Sequence, residues 1–197
     1  MAPTTTRSER LKALREGGWV DRCHTLLKTR RYDVAQHSWN MLNLALVLFP
    51  QHCHPDLIKA IQWHDVPERW VGDSPWPAKH PLSGSELAIL LGSMEHRIEA
   101  ALYISPNLEP IELDVLKICD MLEFALWCQE EWLLGNTHIE HHFRTAMDVC
   151  RTMKLWPEIS DVIEELLKEP ISEARPWTQK ECIGPGGRVD EEEEFPF

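Results

Sequence analysis

Apolar residues recur every three to four positions through almost every long segment of this sequence. That spacing is typical of amphipathic α-helices. No run alternates apolar and polar residues between hairpin turns, as strands of an antiparallel sheet would. The sequence therefore predicts an all-α protein. With 197 residues, 43% of them hydrophobic, the chain is long enough to form one domain with a substantial core.

Capping residues and prolines set the expected helix boundaries. A pair of glycines, Gly17 and Gly18, is a plausible end for the first helix, and Asp33 is a candidate N-cap for the second. Residues 19–32 form a loop dense in positive charge, and the prolines of residues 72–81 exclude a regular helix there. The expected helices span residues 4–16, 33–49, 55–65, 85–104, 110–134, 137–155 and 157–168.

The charge distribution divides the chain in two. Residues 1–170 read as the folded domain, whereas residues 171–197 form an acidic tail rich in Pro and Gly that has little to bury. The formal net charge is −12, and the acidic run 190–194 contributes to it. A surface this acidic disfavours general nucleic-acid binding. A phosphorylated ligand would need the few Lys and Arg residues concentrated at its site.

Neither a membrane segment nor a secretion signal is readable. The longest apolar stretch, Leu44 to Phe49, falls far short of the roughly 20 residues of a membrane-spanning helix, and the N-terminus lacks an apolar signal region. We expect a cytoplasmic protein without a membrane partner. The six cysteines include no CxxC pair, so reduced thiols are expected.

Metal-ligating side chains stand among apolar neighbours at three places. They are His37, the pair His64-Asp65, and Asp120 within an apolar helix. Each alone has an ordinary interpretation, a core histidine or a solvated carboxylate. Together, two imidazoles and two carboxylates suit a divalent Mn, Co, Zn, Fe or Mg ion. His138, His141 and His142 offer either a second metal site or an exposed helix face.

The order His, His-Asp, Asp resembles the signature of the HD-domain metal-dependent phosphohydrolases, an all-α family. The stretch HDVPERWVGDSPWPAK is similar to the HDxxExxxGDxPxPxK pattern of its 5'-deoxynucleotidase branch, and DVAQHSW is similar to a further segment, with Gln36 where Glu is usual. GGWVDRCHT resembles the phage-encoded dATP triphosphohydrolases of the same branch, in which a Gly pair precedes an R-x-H-T run. The resemblance covers residues 19–127.

This resemblance implies a single HD-domain helical bundle, a homo-oligomer and a set of site residues. His37, His64, Asp65 and Asp120 would bind the metal; Glu68 and Asp73 would be catalytic; Arg22, Lys79 and Lys117 would bind phosphates; and Trp19, Trp76 and Pro77 would face the base or sugar.

The function implied is metal-dependent hydrolysis of a deoxynucleotide at its α-phosphorus. The GGWVDRCHT stretch favours dATP, with deoxyadenosine and triphosphate as products. A 5'-deoxynucleotidase acting on deoxynucleoside monophosphates is the alternative enzyme. A non-catalytic scaffold of the HD type is the alternative outside catalysis, although a scaffold need not keep all four ligands and Glu68.

Overall fold

The computed structural model describes residues 5–73 and 86–168, and in these ranges the regular structure is helical. One isolated bridge, between Asp21 and Asp33, is the sole strand-like pairing described there. The all-α prediction is confirmed. The helices are α1 (Arg7–Gly17), α2 (Val34–Leu48), α3 (Pro55–Trp63), α4 (Glu68–Val71), α5 (Glu86–Leu102), α6 (Pro110–Leu133), α7 (Glu140–Thr152) and α8 (Trp156–Lys168), with 3₁₀ turns at Pro50–His52 and Thr137–Ile139.

Side-chain caps fix where the first two helices begin. The Thr6 hydroxyl accepts a hydrogen bond from the Glu9 amide, and the Glu9 carboxylate accepts one from the Thr6 amide. Helix α1 therefore begins at Arg7, later than the predicted start at residue 4, because a cap residue lies outside the helix it closes. Asp33 caps α2 as predicted, accepting from the Gln36 amide at 2.9 Å.

Helix α1 ends at the Gly17-Gly18 pair as expected, but the backbone there does not require glycine. Gly18 has φ −64°, a value open to any residue. Close packing is what restricts both positions. A Cβ atom on Gly17 would lie 3.0 Å from the Val66 side chain, and one on Gly18 would lie 3.1 Å from the Ala35 Cβ. The end of α1 is thereby held against the segment that follows His64 and Asp65.

Helix α6 packs against both α2 and α7, and its apolar residues form the centre of the core. Each large side chain buried there contributes about 1.5–3 kcal/mol by leaving water. The acidic residues of α6 discussed below are thus placed by a well-packed helix. Buried core residues from five helices include Met41, Leu57, Ile61, Ile118, Leu122, Met147 and Ile159.

The basic loop 19–32 is fixed against α6 by the buried carboxylate of Glu131. That carboxylate accepts hydrogen bonds from the Thr29 backbone amide at 2.6 Å, the Thr29 hydroxyl at 3.0 Å and the Asn136 side-chain amide at 3.1 Å. Nearer the site, Tyr32 stacks on Trp127 with ring centroids 4.4 Å apart. The loop therefore has a defined path along α6 and carries Arg22 to a defined place.

Two other expectations concern the chain as a whole. Among the described residues, none of the helices combines the length and the apolar character needed to cross a membrane. The five cysteines within those residues are free thiols. The boundary between a domain at 1–170 and a tail at 171–197 lies outside the described residues and stays a prediction.

Candidate metal centre and active site

Three side chains from three different helical segments converge on one point. His37 comes from α2, His64 caps the end of α3, and Asp120 comes from α6. The His37 Nε2 atom lies 3.4 Å from His64 Nε2 and 3.2 Å from Asp120 Oδ1. One ligand atom of each residue lies within 4.8 Å of the others, a spacing that can hold a metal ion. We call these three residues the metal group.

Asp65, the fourth predicted ligand, borders the metal group. Its Oδ2 atom lies 3.2 Å from His64 Nε2 and 3.6 Å from His37 Nε2. Asp120 keeps 44% of its side chain exposed, so the cluster opens to solvent on the Asp120 side. The positions of these residues in the sequence do not indicate how close they lie in space. The packing of the helices brings them together.

The outer nitrogens of both histidines are already engaged. His64 Nδ1 lies 2.9 Å from the Ile61 carbonyl oxygen, and His37 Nδ1 is hydrogen-bonded to the buried carboxylate of Glu123. Because both partners are acceptors, a neutral ring of either histidine carries its proton on Nδ1, and Nε2 is then the atom left to bind a cation. The donor set, two imidazole Nε2 atoms with carboxylate oxygens, fits a divalent metal ion.

Opposite charges shift the ionisation of the whole cluster. Burial alone would raise the pKa of Asp120, but the adjacent imidazole of His37 lowers it. Burial likewise opposes ionisation of Asp65, whose pKa is nevertheless held well below the usual range by His64 and Arg22. Burial lowers the pKa of His64, but the neighbouring Asp65 raises it by more, so the resulting pKa is about 9. The carboxylates thus make the centre attractive to positive charge.

Arg22 brings a guanidinium into this centre. Its Nη1 donates to Asp65 Oδ2, its Nη2 lies 3.8 Å from Asp120 Oδ1, and its Cζ lies 5.6 Å from the centre of the Tyr32 ring. Burial opposes its charge, but Asp65 raises the pKa of Arg22 well above the ordinary value. A fixed cation therefore stands beside the metal group, where the sequence placed a phosphate-binding residue.

Glu68 and Asp73 lie on the short segment that leaves the metal group. The Glu68 amide donates to the Asp65 carbonyl at 3.0 Å, so one turn joins the two carboxylates, and the Glu68 side chain is buried. The Asp73 carboxylate instead accepts the Cys23 amide at 2.8 Å. Cys23 has φ +54°, so this bond holds an unfavourable backbone conformation next to Arg22.

The other predicted site residues are less closely tied to the metal group. Lys117 is exposed on α6, three residues before Asp120, and Trp19 is 67% exposed at the start of the basic loop. Lys79, Trp76 and Pro77 lie outside the described residues. His138 and His141 are exposed and His142 is half-buried, and the structure places no metal-binding group there within the ranges it describes.

Sequence reasoning missed Glu123 and Tyr32. The Tyr32 hydroxyl donates to the same Glu123 oxygen that His37 contacts, and both side chains are buried. A signal existed for Glu123, because it follows Asp120 by three residues in the same apolar helix, where a buried carboxylate needs a partner. Tyr32 offered no comparable signal.

Comparison with known proteins places the chain in a family. No family model matches the sequence. A dATP triphosphohydrolase of Salmonella phage PMBT28 is 30% identical over 171 aligned residues, which cover 75% of this chain and 86% of that protein. This chain belongs to the dATP triphosphohydrolase family of HD-domain phosphohydrolases. It is a hydrolase, as the sequence predicted.

Further relatives of this phosphohydrolase agree with that assignment. A dATP triphosphohydrolase of Cyanophage S-2L is 25% identical over 177 residues, covering 84% of this chain and 97% of the relative. The solved structure of the Cyanophage S-2L HD phosphohydrolase DatZ, bound to dA and one catalytic Zn²⁺ ion, matches with a TM-score of 0.65 and 20% identity. The match covers 84% of this chain and 98% of DatZ. The PH0347 protein from Pyrococcus horikoshii OT3 matches with a TM-score of 0.62 and 18% identity, and the match covers 82% of this chain and 98% of that protein. The two structural matches support the fold.

Proposed function

We propose that this phosphohydrolase converts dATP to deoxyadenosine and triphosphate with a divalent metal ion. The observation that carries the proposal is the metal group, His37, His64 and Asp120, standing beside the largely buried guanidinium of Arg22. The names of the two phage relatives support dATP as the nucleotide. The dA and Zn²⁺ bound to the Cyanophage S-2L protein support the base and the kind of cofactor.

In this proposal His37, His64, Asp65 and Asp120 hold the ion, which is Mn, Co, Zn, Fe or Mg. The histidines offer Nε2 because their Nδ1 atoms are engaged. When bound, such an ion lowers the pKa of water and polarises a phosphoryl oxygen.

The remaining chemistry belongs to side chains around the metal group. A water molecule adds to the α-phosphorus, the bond from phosphorus to the 5'-oxygen breaks, and the water oxygen leaves within the triphosphate. Glu68, one turn from Asp65, takes a proton from the water and delivers one to the 5'-oxygen of deoxyadenosine. Arg22 neutralises charge that develops on the phosphoryl oxygens. Lys79 and Lys117 would bind the outer phosphates, and Trp19, Trp76 and Pro77 would face the base or sugar.

A 5'-deoxynucleotidase that releases inorganic phosphate is the second candidate. It is favoured by the HDVPERWVGDSPWPAK stretch, which matches the pattern of that branch. Both reactions break the same phosphorus–oxygen bond, so they differ in what the chain accommodates beyond the α-phosphate. The test measures turnover of dATP and dAMP with Mn, Co, Zn and Mg and identifies the phosphate product.

Release of intact triphosphate from dATP supports the proposal, and orthophosphate from dAMP as the faster reaction selects the deoxynucleotidase. No turnover of any deoxynucleotide with any of these metals would favour a non-catalytic HD-type scaffold. We propose further that the enzyme acts in the cytoplasm of a phage host, as a homo-oligomer, without general nucleic-acid binding. The phage relatives support the location, and the net charge of −12 supports the absence of general nucleic-acid binding. The homo-oligomer is what the family resemblance implies.

A further inference from the structure

Glu123 lies one turn after Asp120 on α6, and its carboxylate is buried. Its Oε2 atom accepts hydrogen bonds from His37 Nδ1 and the Tyr32 hydroxyl, and its Oε1 atom accepts from Asn40 Nδ2 at 3.3 Å. A buried carboxylate without such partners would be very costly. Three donors from α2 and the end of the basic loop therefore meet at this single side chain.

The bond to His37 decides what the imidazole can do. With Nδ1 donating to Glu123, the opposite atom Nε2 faces Asp120 Oδ1 at 3.2 Å. A carboxylate on the outer nitrogen fixes the ring orientation and makes Nε2 a stronger ligand. We propose that Glu123 is a positioning residue that aligns His37 for the divalent ion. This inference rests on the metal centre of the proposed function.

Glu123 also reaches Arg22 through Tyr32. The Tyr32 carbonyl accepts the Arg22 amide at 2.8 Å, and the Tyr32 ring lies beneath the Arg22 guanidinium. The same carboxylate oxygen thus contacts the metal-binding histidine and the tyrosine that supports the phosphate-binding arginine. Trp127 stacks on the Tyr32 ring and keeps it in place.

The chain contains a matched control for a general effect of losing a buried glutamate. Glu131 lies on α6 about two turns further on and is fully buried, but it holds Thr29 and Asn136 instead of a histidine. Glu123→Gln and Glu131→Gln remove the same charge from the same helix. The first changes a contact with the metal group, and the second changes the anchoring of the loop.

The experiment titrates each metal-free variant with Mn²⁺, without nucleotide, and follows free Mn²⁺ by electron paramagnetic resonance. Glu123→Gln is expected to weaken Mn²⁺ binding about 10- to 100-fold, while Glu131→Gln binds as the wild type does. Wild-type affinity in Glu123→Gln overturns the proposal, and so does an equal loss in both variants. If the wild-type protein binds no Mn²⁺, both this proposal and the metal centre of the proposed function are contradicted. Failure to hydrolyse dATP would contradict the proposed function but would not change the comparison of Mn²⁺ affinities.

A second measurement needs no variant and therefore does not depend on whether Glu123→Gln folds. In zinc-loaded wild-type protein with ¹⁵N-labelled histidine, the His37 ring is expected to carry its proton on Nδ1, in a hydrogen bond that slows exchange with water. Tyr32→Phe leaves the bond between His37 and Glu123 in place, so it should keep this signal. A His37 proton found on Nε2 contradicts the role assigned to Glu123.

Discussion

Arg22 and Asp65, 43 residues apart in the sequence, form an ion pair at the edge of the metal group. The pair joins the basic loop to the segment that leaves α3. Since Asp120 lies 3.8 Å from the same guanidinium, Arg22 stands between two of the proposed metal ligands. Its charge is therefore held beside the metal group.

Replacing Arg22 should weaken catalysis more than it weakens folding. We expect Arg22→Ala to lower kcat/KM for dATP about 10²- to 10³-fold, because a charged donor to the phosphoryl group is lost. Arg31→Ala is the matched control, since Arg31 is an exposed arginine of the same loop that pairs with Asp33. Steady-state kinetics of both variants check the prediction, and unchanged kinetics in Arg22→Ala would remove Arg22 from the site.

Measuring the metal content of variants should distinguish the metal ligands from the proposed proton-transfer residue. His64→Ala and Asp120→Ala are expected to lose both metal and turnover. Glu68→Ala should retain metal but lower kcat about 10²- to 10⁴-fold, the range for loss of general acid–base catalysis. Elemental analysis of the purified variants gives the stoichiometry. Equal metal loss in all three variants contradicts this division of roles.

Asp73 can act through its charge or through the backbone it holds. Its contact with the Cys23 amide favours positioning of the loop next to Arg22. Asp73→Asn keeps an oxygen that can accept this bond, whereas Asp73→Ala removes it. We therefore expect Asn to retain most of the kcat/KM that Ala loses. If Asn and Ala are equally slow, the carboxylate charge itself is needed at the sugar or the water.

The anchor at Glu131 should make folding stability depend on acidic pH. Burial opposes its ionisation, but hydrogen bonds from Thr29 and Asn136 and the charge of Arg30 lower the pKa of Glu131 below that of an ordinary glutamate. A carboxyl group with a lower pKa in the folded state stabilises the protein above its unfolded-state pKa. That contribution is lost as the pH falls through the folded-state value.

Glu131→Gln should therefore be less stable than the wild type at pH 7, and the difference should begin to shrink as the pH falls through the ordinary pKa of glutamate. Urea unfolding at pH 7, 5 and 4 measures it. The cost at pH 7 is expected to be about 1–3 kcal/mol, the range for a buried polar group that loses a partner. A stability difference that stays constant over this range would contradict the assigned ionisation.

Local sequence signals predicted seven of the eight helices in the described residues and missed the short α4. Asp33 predicted the start of α2 because an aspartate can accept the hydrogen bonds of the first helical amides. Pro55 predicted the start of α3 because a proline fits the first helical turn. The four proposed ligands could be singled out only as a set, through their family resemblance, since each alone has an ordinary interpretation.

Tertiary packing decided what those residues do. Helix α6 brings Asp120 to His37 and His64, and only this packing shows that Glu123 holds His37 while Asp73 holds the turn at Cys23. Packing likewise explains Gly17 and Gly18, because Val66 and Ala35 approach them closely. Periodicity and capping act between near neighbours, so the sequence alone determined the helices and the family. Contacts between residues far apart depend on how the helices pack, which is why the geometry of the site required the fold.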